Sequence, residues 1–160
     1  MKKFELTGEF KILFGRKLFR IRALVNFRDV KSGDLGGYVE KEENLSHDGD
    51  AWVYGNAQVS GNAQVSGNAQ VSGDAWVYGD ARVSGDADYA CVKGFGSEFR
   101  NTTFFRTKDE HIGVRCGCFY GTLDAFREKV KETHGDTKYA KEYLMIADLM
   151  ELHFVGGKQQ

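Results

Sequence analysis

Gly49 to Ala90 reads GDAWVY, GNAQVS, GNAQVS, GNAQVS, GDAWVY, GDARVS, GDADYA, seven hexads without a gap. Each hexad opens on Gly followed by Asp or Asn. Then come Ala, a variable residue, Val (Tyr89 in the last) and a small or aromatic residue. Extended chain sends alternate side chains to opposite faces, so Ala63 and Val65 share one face and Gln64 and Ser66 the other. Gly with Asn or Asp tolerates the dihedrals of a corner. A short strand and a two-residue corner, repeated, predict a coil rather than a hairpin sheet, with Ala in the crowded interior near each corner and Val in its middle.

An aliphatic residue with a small one four positions later, as in Val59 with Ala63 and Val65 with Ala69, resembles the left-handed parallel β-helix of the hexapeptide-repeat family. The resemblance implies that three hexads close one triangular coil. Residues 18 apart then stack at about the 4.8 Å spacing of paired strands. Trp52 would lie over Gln70 and Asp88, Gln58 over Trp76, and Gln64 over Arg82, with Asp50, Asn68 and Asp86 in one corner column. Gly36-Gly37-Tyr38-Val39 to Asn44-Leu45-Ser46 could add a further coil, out of frame with Val53. So short an array needs caps at both ends.

The flanks fit that need. Phe10 to Phe14 and Leu18 to Ala23 surround Gly15-Arg16-Lys17, a hairpin signal within a β-rich cap. Beyond the repeat, Thr102 to Thr107 and Ile112 to Tyr120 read as two strands around Lys108-Asp109-Glu110. Thr122 caps a helix from Leu123 to His134 that Gly135 terminates. Asp136 or Thr137 starts a second helix. Its apolar stripe is Tyr139, Tyr143, Ile146, Met150 and Phe154, widened by Leu144, Ala147 and Leu149 and ended by Gly156-Gly157. The expected fold is therefore mainly β: an N-terminal β cap over 1–35, a short left-handed parallel β-helix over 36–90, and a C-terminal α+β (ββαα) module over 91–160.

Composition narrows the function. The chain has 160 residues with 41% apolar and 28% charged, enough for a globular core. Net charge is −1, which indicates no bulk attraction to nucleic acid or membrane. Apolar runs are too short for a membrane span, and Met1-Lys2-Lys3-Phe4-Glu5 has no apolar leader. Three cysteines point to a reducing cytoplasm. Charge is partitioned: residues 1–35 carry net +5, 36–90 net −7 and 91–160 net +1. Complementarity between cap and repeat explains that split, and a basic face for an anionic ligand is the functional alternative.

Gly15 to Leu24, Gly33 to Glu40, Glu43 to Ser46, Val114 to Phe119, Gly121 to Leu123 and Tyr139 to Tyr143 look like a group of phage and prophage hexapeptide-repeat proteins. The resemblance implies a phage-type accessory protein in the cytoplasm of a bacterial host. It carries no enzymatic activity to this chain.

Several residues invite chemistry. Hexapeptide acyltransferases use a histidine as general base. Here only His47 stands near the repeats, at the corner that leads into them. Cys116-Gly117-Cys118 with His111 invites zinc, but Cys91, His134 and His153 are not at motif spacing. Lys93-Gly94-Phe95-Gly96-Ser97 contains a GxG nest without strand–helix context. The Asp and Asn corners do not match a calcium repeat. No cofactor or metal is expected.

Trp52, Tyr54, Trp76 and Tyr78 occupy outward positions that elsewhere hold Gln and Ser. They need cover from the cap, the C-terminal helices or a second subunit. A homotrimer with these residues in its interface is the expectation. Arg100, Phe104, Arg106, Lys108, Arg115, Phe119 and Tyr120 combine phosphate-clamping and base-stacking groups, the mix that suits a nucleotide at a subunit boundary. The expected function is non-catalytic: an anti-defence protein that sequesters a nucleotide immune messenger. The alternatives are a module that binds a host defence protein and, as a minor one, an acyltransferase.

Overall fold

The computed structural model describes residues 2–156. The chain is mainly strand, with a pair of helices near its C-terminal end. An antiparallel hairpin, β1 (Phe4–Leu13) and β2 (Arg16–Ala23), is followed by β3 (Leu35–Val39). The hexads then supply six two-residue strands: β4 (Trp52–Val53), β5 (Gln58–Val59), β6 (Gln64–Val65), β7 (Gln70–Val71), β8 (Trp76–Val77) and β9 (Arg82–Val83).

These strands pair in parallel with the strand 18 residues on. Trp52 lies beside Gln70, Gln58 beside Trp76 and Gln64 beside Arg82. Three separate ladders result, and valine stacks on valine inside each: Val53 on Val71, Val59 on Val77, Val65 on Val83. The alanines and valines of six hexads are at most 1% exposed. Each buried valine is worth roughly 1.5–3 kcal/mol relative to exposure.

The extra coil is present and out of frame. Val39 pairs with Val59 and Leu45 bridges to Val65, 20 residues apart instead of 18. Gly36 and Gly37 are required there, because a Cβ at either would strike the Val53 or Ala57 carbonyl. Buried Asn44 closes this end. Its amide donates to the Ala63 and Gly61 carbonyls, and its oxygen accepts from the Glu40 and Lys41 N–H groups. The hairpin extends the same sheet, in the order β1-β2-β3-β5-β8.

The seventh hexad departs from the expectation. The six glycines from Gly49 to Gly79 have φ between 58° and 73°, but Gly85 is extended at −156°. Asp86–Asp88 forms a short 3-10 turn, and Asp88 does not stack on Gln70. Instead Asp86 accepts from the Gln70 N–H and the Tyr89 hydroxyl donates to the Gln70 carbonyl. The chain then leaves the coil as β10 (Tyr89–Val92), so the boundary at residue 90 falls inside a strand of the next unit.

That unit is an antiparallel sheet in the order β10-β11-β12-β13, with β11 (Thr102–Arg106), β12 (Ile112–Cys116) and β13 (Phe119–Thr122). The expected single strand from Ile112 to Tyr120 is two, split by a turn at Gly117, where φ is 58°. The ββαα expectation therefore gains two strands. Helices α1 (Leu123–His134) and α2 (Lys138–Glu151) follow, capped by Thr122 and Thr137. Gly156 lies in a π turn that prolongs α2, and Gly157 is outside the described residues.

Strand β11 closes the far end of the coil. Thr103 accepts from the Trp76 N–H at 2.9 Å, and the Lys108 N–H donates to the Asp80 carbonyl at 2.8 Å. Alternation along β11 then divides two cores. Phe105 is buried with the coil residues, and Phe104 is buried with α1 and α2.

Candidate functional site

The outward aromatics are covered within their own chain. Trp52 is 1% exposed, edge-on to Phe4 and Phe27 of the N-terminal cap. Tyr54 donates to Asp29, and burial beside that carboxylate pushes its hydroxyl up to about 12. Trp76 stacks on Phe14 at the hairpin tip, and Tyr78 meets Tyr120 edge-on. Cap and C-terminal sheet thus cover Trp52 completely and Tyr54, Trp76 and Tyr78 in part, so that of the four only Trp52 has no surface left for an interface.

The proposed ligand residues divide likewise. Phe104 is fully buried and cannot touch a ligand. Arg106 is committed to Asp88 at 2.8 Å and lies over Phe154. Lys108 lines a separate shallow groove with Lys41, Asn62 and Arg82. Tyr120 packs between Tyr78 and Phe105, and its hydroxyl accepts from the Asp80 N–H. Arg100, Arg115 and Phe119 remain, and they sit around the β12–β13 turn. Arg100 lies against Gly117, in the space a Cβ there would take. A side chain at 117 would therefore displace the guanidinium, besides straining a left-handed backbone.

Arg100 stands between two clefts. The first holds about 310 Å³ between this turn, the 97–100 loop and the helices. Phe119 and Phe126 form an apolar wall, with ring centroids 5.8 Å apart, and Tyr143 adds a third ring. Arg100, Lys129 and His134 bring cationic or protonatable groups to its edge, against one carboxylate, Glu98, 3.7 Å from Arg100. Burial and the neighbouring Cys116 push the Tyr143 hydroxyl up to about 12, so it stays protonated and donates to the Phe95 carbonyl. Lys129 was not among the sequence candidates, and His134 entered only as a zinc ligand at the wrong spacing and as the end of α1. The Cys-Gly-Cys triplet was the available signal, since glycine between two strand-like stretches marks a turn.

The second cleft, of about 220 Å³, lies on the hairpin side of Arg100. Its lining includes Arg115, Gln58, Trp76 and Asn101. Arg115 is 8% exposed, and its guanidinium lies 3.8 Å from the Trp76 ring centroid, 4.4 Å from that of Tyr78 and 5.3 Å from that of Phe14. Cation–π attraction offsets part of the charge's desolvation. It supplies no acceptor for the N–H groups, and Nε is buried without a hydrogen bond. Burial pulls the Arg115 pKa below the usual arginine value, and Arg16 nearby pulls the same way.

His47 lies away from both clefts. Its Nδ1 accepts from the Lys3 backbone N–H at 3.0 Å, and its ring stacks on Phe4. Cys116 accepts from the Thr102 hydroxyl, Cys118 is exposed in the turn, and His111 lines a different groove. Among the described residues no group of three or more His, Cys, Asp or Glu is placed to hold a metal. Nor is any helix among them long and apolar enough to cross a membrane. The chain matches no protein-family model and no curated protein.

Proposed function

We propose that the chain is a non-catalytic binding protein of phage type, built on a left-handed parallel β-helix of the hexapeptide-repeat kind, that sequesters a small nucleotide. The observation that carries this is the cleft beside α1: aromatic walls from Phe119 and Phe126 with Arg100 and Lys129 at the edge. A base stacks on aromatic faces, and guanidinium groups clamp phosphates. A volume near 310 Å³ is at the small end of the roughly 300–1,000 Å³ range of ligand pockets, which favours a mononucleotide-sized ligand. Sequestration needs affinity and no reacting group. In an infected bacterium that ligand would be a nucleotide immune messenger. The cleft belongs to one chain, so this function does not depend on a trimer.

Native mass spectrometry of the protein with a panel of mononucleotides and cyclic nucleotides tests the proposal. One retained nucleotide per chain is expected, with affinity at least about tenfold weaker in Arg100→Ala and Phe119→Ala. Arg106→Ala should leave affinity unchanged. Equal affinity in wild type and both cleft variants would refute the assignment.

A second function, docking of a host protein, is favoured by one observation. Met145, Leu149 and Leu152 are 72%, 55% and 68% exposed along one side of α2 and its extension. Capture of a host protein by the wild type, lost in Met145→Glu/Leu149→Glu, would favour it over sequestration.

A further inference from the structure

The hairpin-side cleft has no part in the function proposed above, yet it holds a buried charge without a hydrogen bond to any described residue. Among the described residues, Arg115 donates no hydrogen bond and has no carboxylate within ion-pair distance. The other arginines around Trp76 and Tyr78 differ. Arg16 donates to both oxygens of Glu40, at 2.9 and 3.1 Å, while Arg100 has only Glu98 at 3.7 Å. Asp74 is the one carboxylate among the cleft's lining residues, and Lys93 holds it at 2.7 Å. The Gln58 side-chain oxygen, in the same lining, is also buried without a partner. Two residues that each carry a buried polar atom without a hydrogen bond, Arg115 and Gln58, therefore line one cavity.

An arginine kept only for packing does not need this arrangement. Its stem can lie on apolar surface while its head reaches water or an acid. At 3.8 Å from its centroid, the guanidinium lies against the Trp76 ring. Arg115 lines a cavity of about 220 Å³ together with Arg100, which is exposed, and Asn101. Planar forks of this kind match oxyanions bidentately. The Gln58 oxygen suits an oxyanion that retains one proton, as hydrogen phosphate does.

We propose that this cleft is a binding site for a phosphate-class oxyanion, held by Arg115 and Arg100, with Gln58 accepting from its remaining O–H. It is independent of the nucleotide cleft except for Arg100. The oxyanion comes either free or as the terminal phosphate of a nucleotide.

Tryptophan fluorescence reads the site directly, since Trp76 is one of only two tryptophans. Inorganic phosphate is titrated into the intact protein, with chloride at matched ionic strength as control. A saturable change in wild type is expected, absent with chloride and lost in Arg115→Met, which keeps a long chain on the rings. Arg100→Gln, at an exposed rim position, should weaken binding at least several-fold. This second variant keeps the test decisive if Arg115→Met does not fold. Adenosine monophosphate is then added to phosphate-loaded Phe119→Ala protein, in which the α1-side cleft has lost a wall. Competition assigns the oxyanion to a nucleotide, and its absence assigns it to the free anion. No saturable change in wild type, or an equal one in both variants, overturns the proposal. Failure here with nucleotide retained in the α1-side cleft would leave that function standing.

Discussion

The two cores of this molecule are built by opposite rules. The interior of the repeat uses mainly two small residue types, alanine and valine, and each ladder stacks valine on the valine 18 residues on. The helix-side core uses Phe104, Val114, Leu123, Phe126, Tyr143, Met150 and Phe154, and no position repeats another. In the first, each residue has near-equivalents and the backbone ladder fixes the geometry. In the second, shape complementarity among unlike side chains does so, with edge-on rings such as Phe104 against Phe126. Strand β11 faces both, with adjacent residues committed to different interiors.

The strongest way to break the contrast is at that strand. Phe104→Ala and Phe105→Ala should each cost about 3–5 kcal/mol in urea unfolding. Hydrogen exchange should separate them: Phe104→Ala loosens α1 and α2, and Phe105→Ala loosens the last coil strands. A common pattern for both would mean the cores unfold as one. Next, Val59→Ala and Val65→Ala should lose nearly equal stability, about 2 kcal/mol each, because each valine is stacked between two aliphatic residues. A wide spread would show that the caps, not the ladder, set local packing. Thr122→Ala removes a side chain that accepts from the Ala125 N–H and should cost about 1 kcal/mol, confined to the helical unit.

The smallest effect is a pH dependence on the coil side. Burial pulls the Lys3 ammonium down to about 8 from 10.5, against the pull of Asp50 and Asp48. Between those values the unfolded chain holds more protons than the folded one, so stability rises with pH across that window. Melting curves should show the rise in wild type and a flatter profile in Lys3→Met.

Much of this was legible in the sequence because period-two patterning and corner glycines act locally. The register of Trp52, Gln58 and Gln64 follows from counting hexads, and α1 follows from Thr122 and Gly135. The seventh hexad was misleading. Gly85-Asp86-Ala87 keeps the repeat's letters, but Asp88-Tyr89 replaces its variable residue and valine, and the chain leaves the coil. The candidate site was only partly visible. Arg100, Arg115 and Phe119 were among the residues named, but their grouping depends on a turn at Gly117 and on a hairpin tip distant in sequence. Arg106 and Phe104 looked equally eligible, and only tertiary contacts show them to be spent on Asp88 and on the helix core.

The hairpin has one more consequence. Its base joins the sheet beside the first coil strand, while Phe14 at its tip reaches Trp76, on β8, and Arg115 beyond it. It is thus a gauge laid alongside the coil. Three further hexads after Ser60 would satisfy every rule of the repeat. They would also carry Trp76 about 4.8 Å away from Phe14, one strand spacing. Repeat arrays ordinarily tolerate added units, but the fixed reach of this arm selects one length.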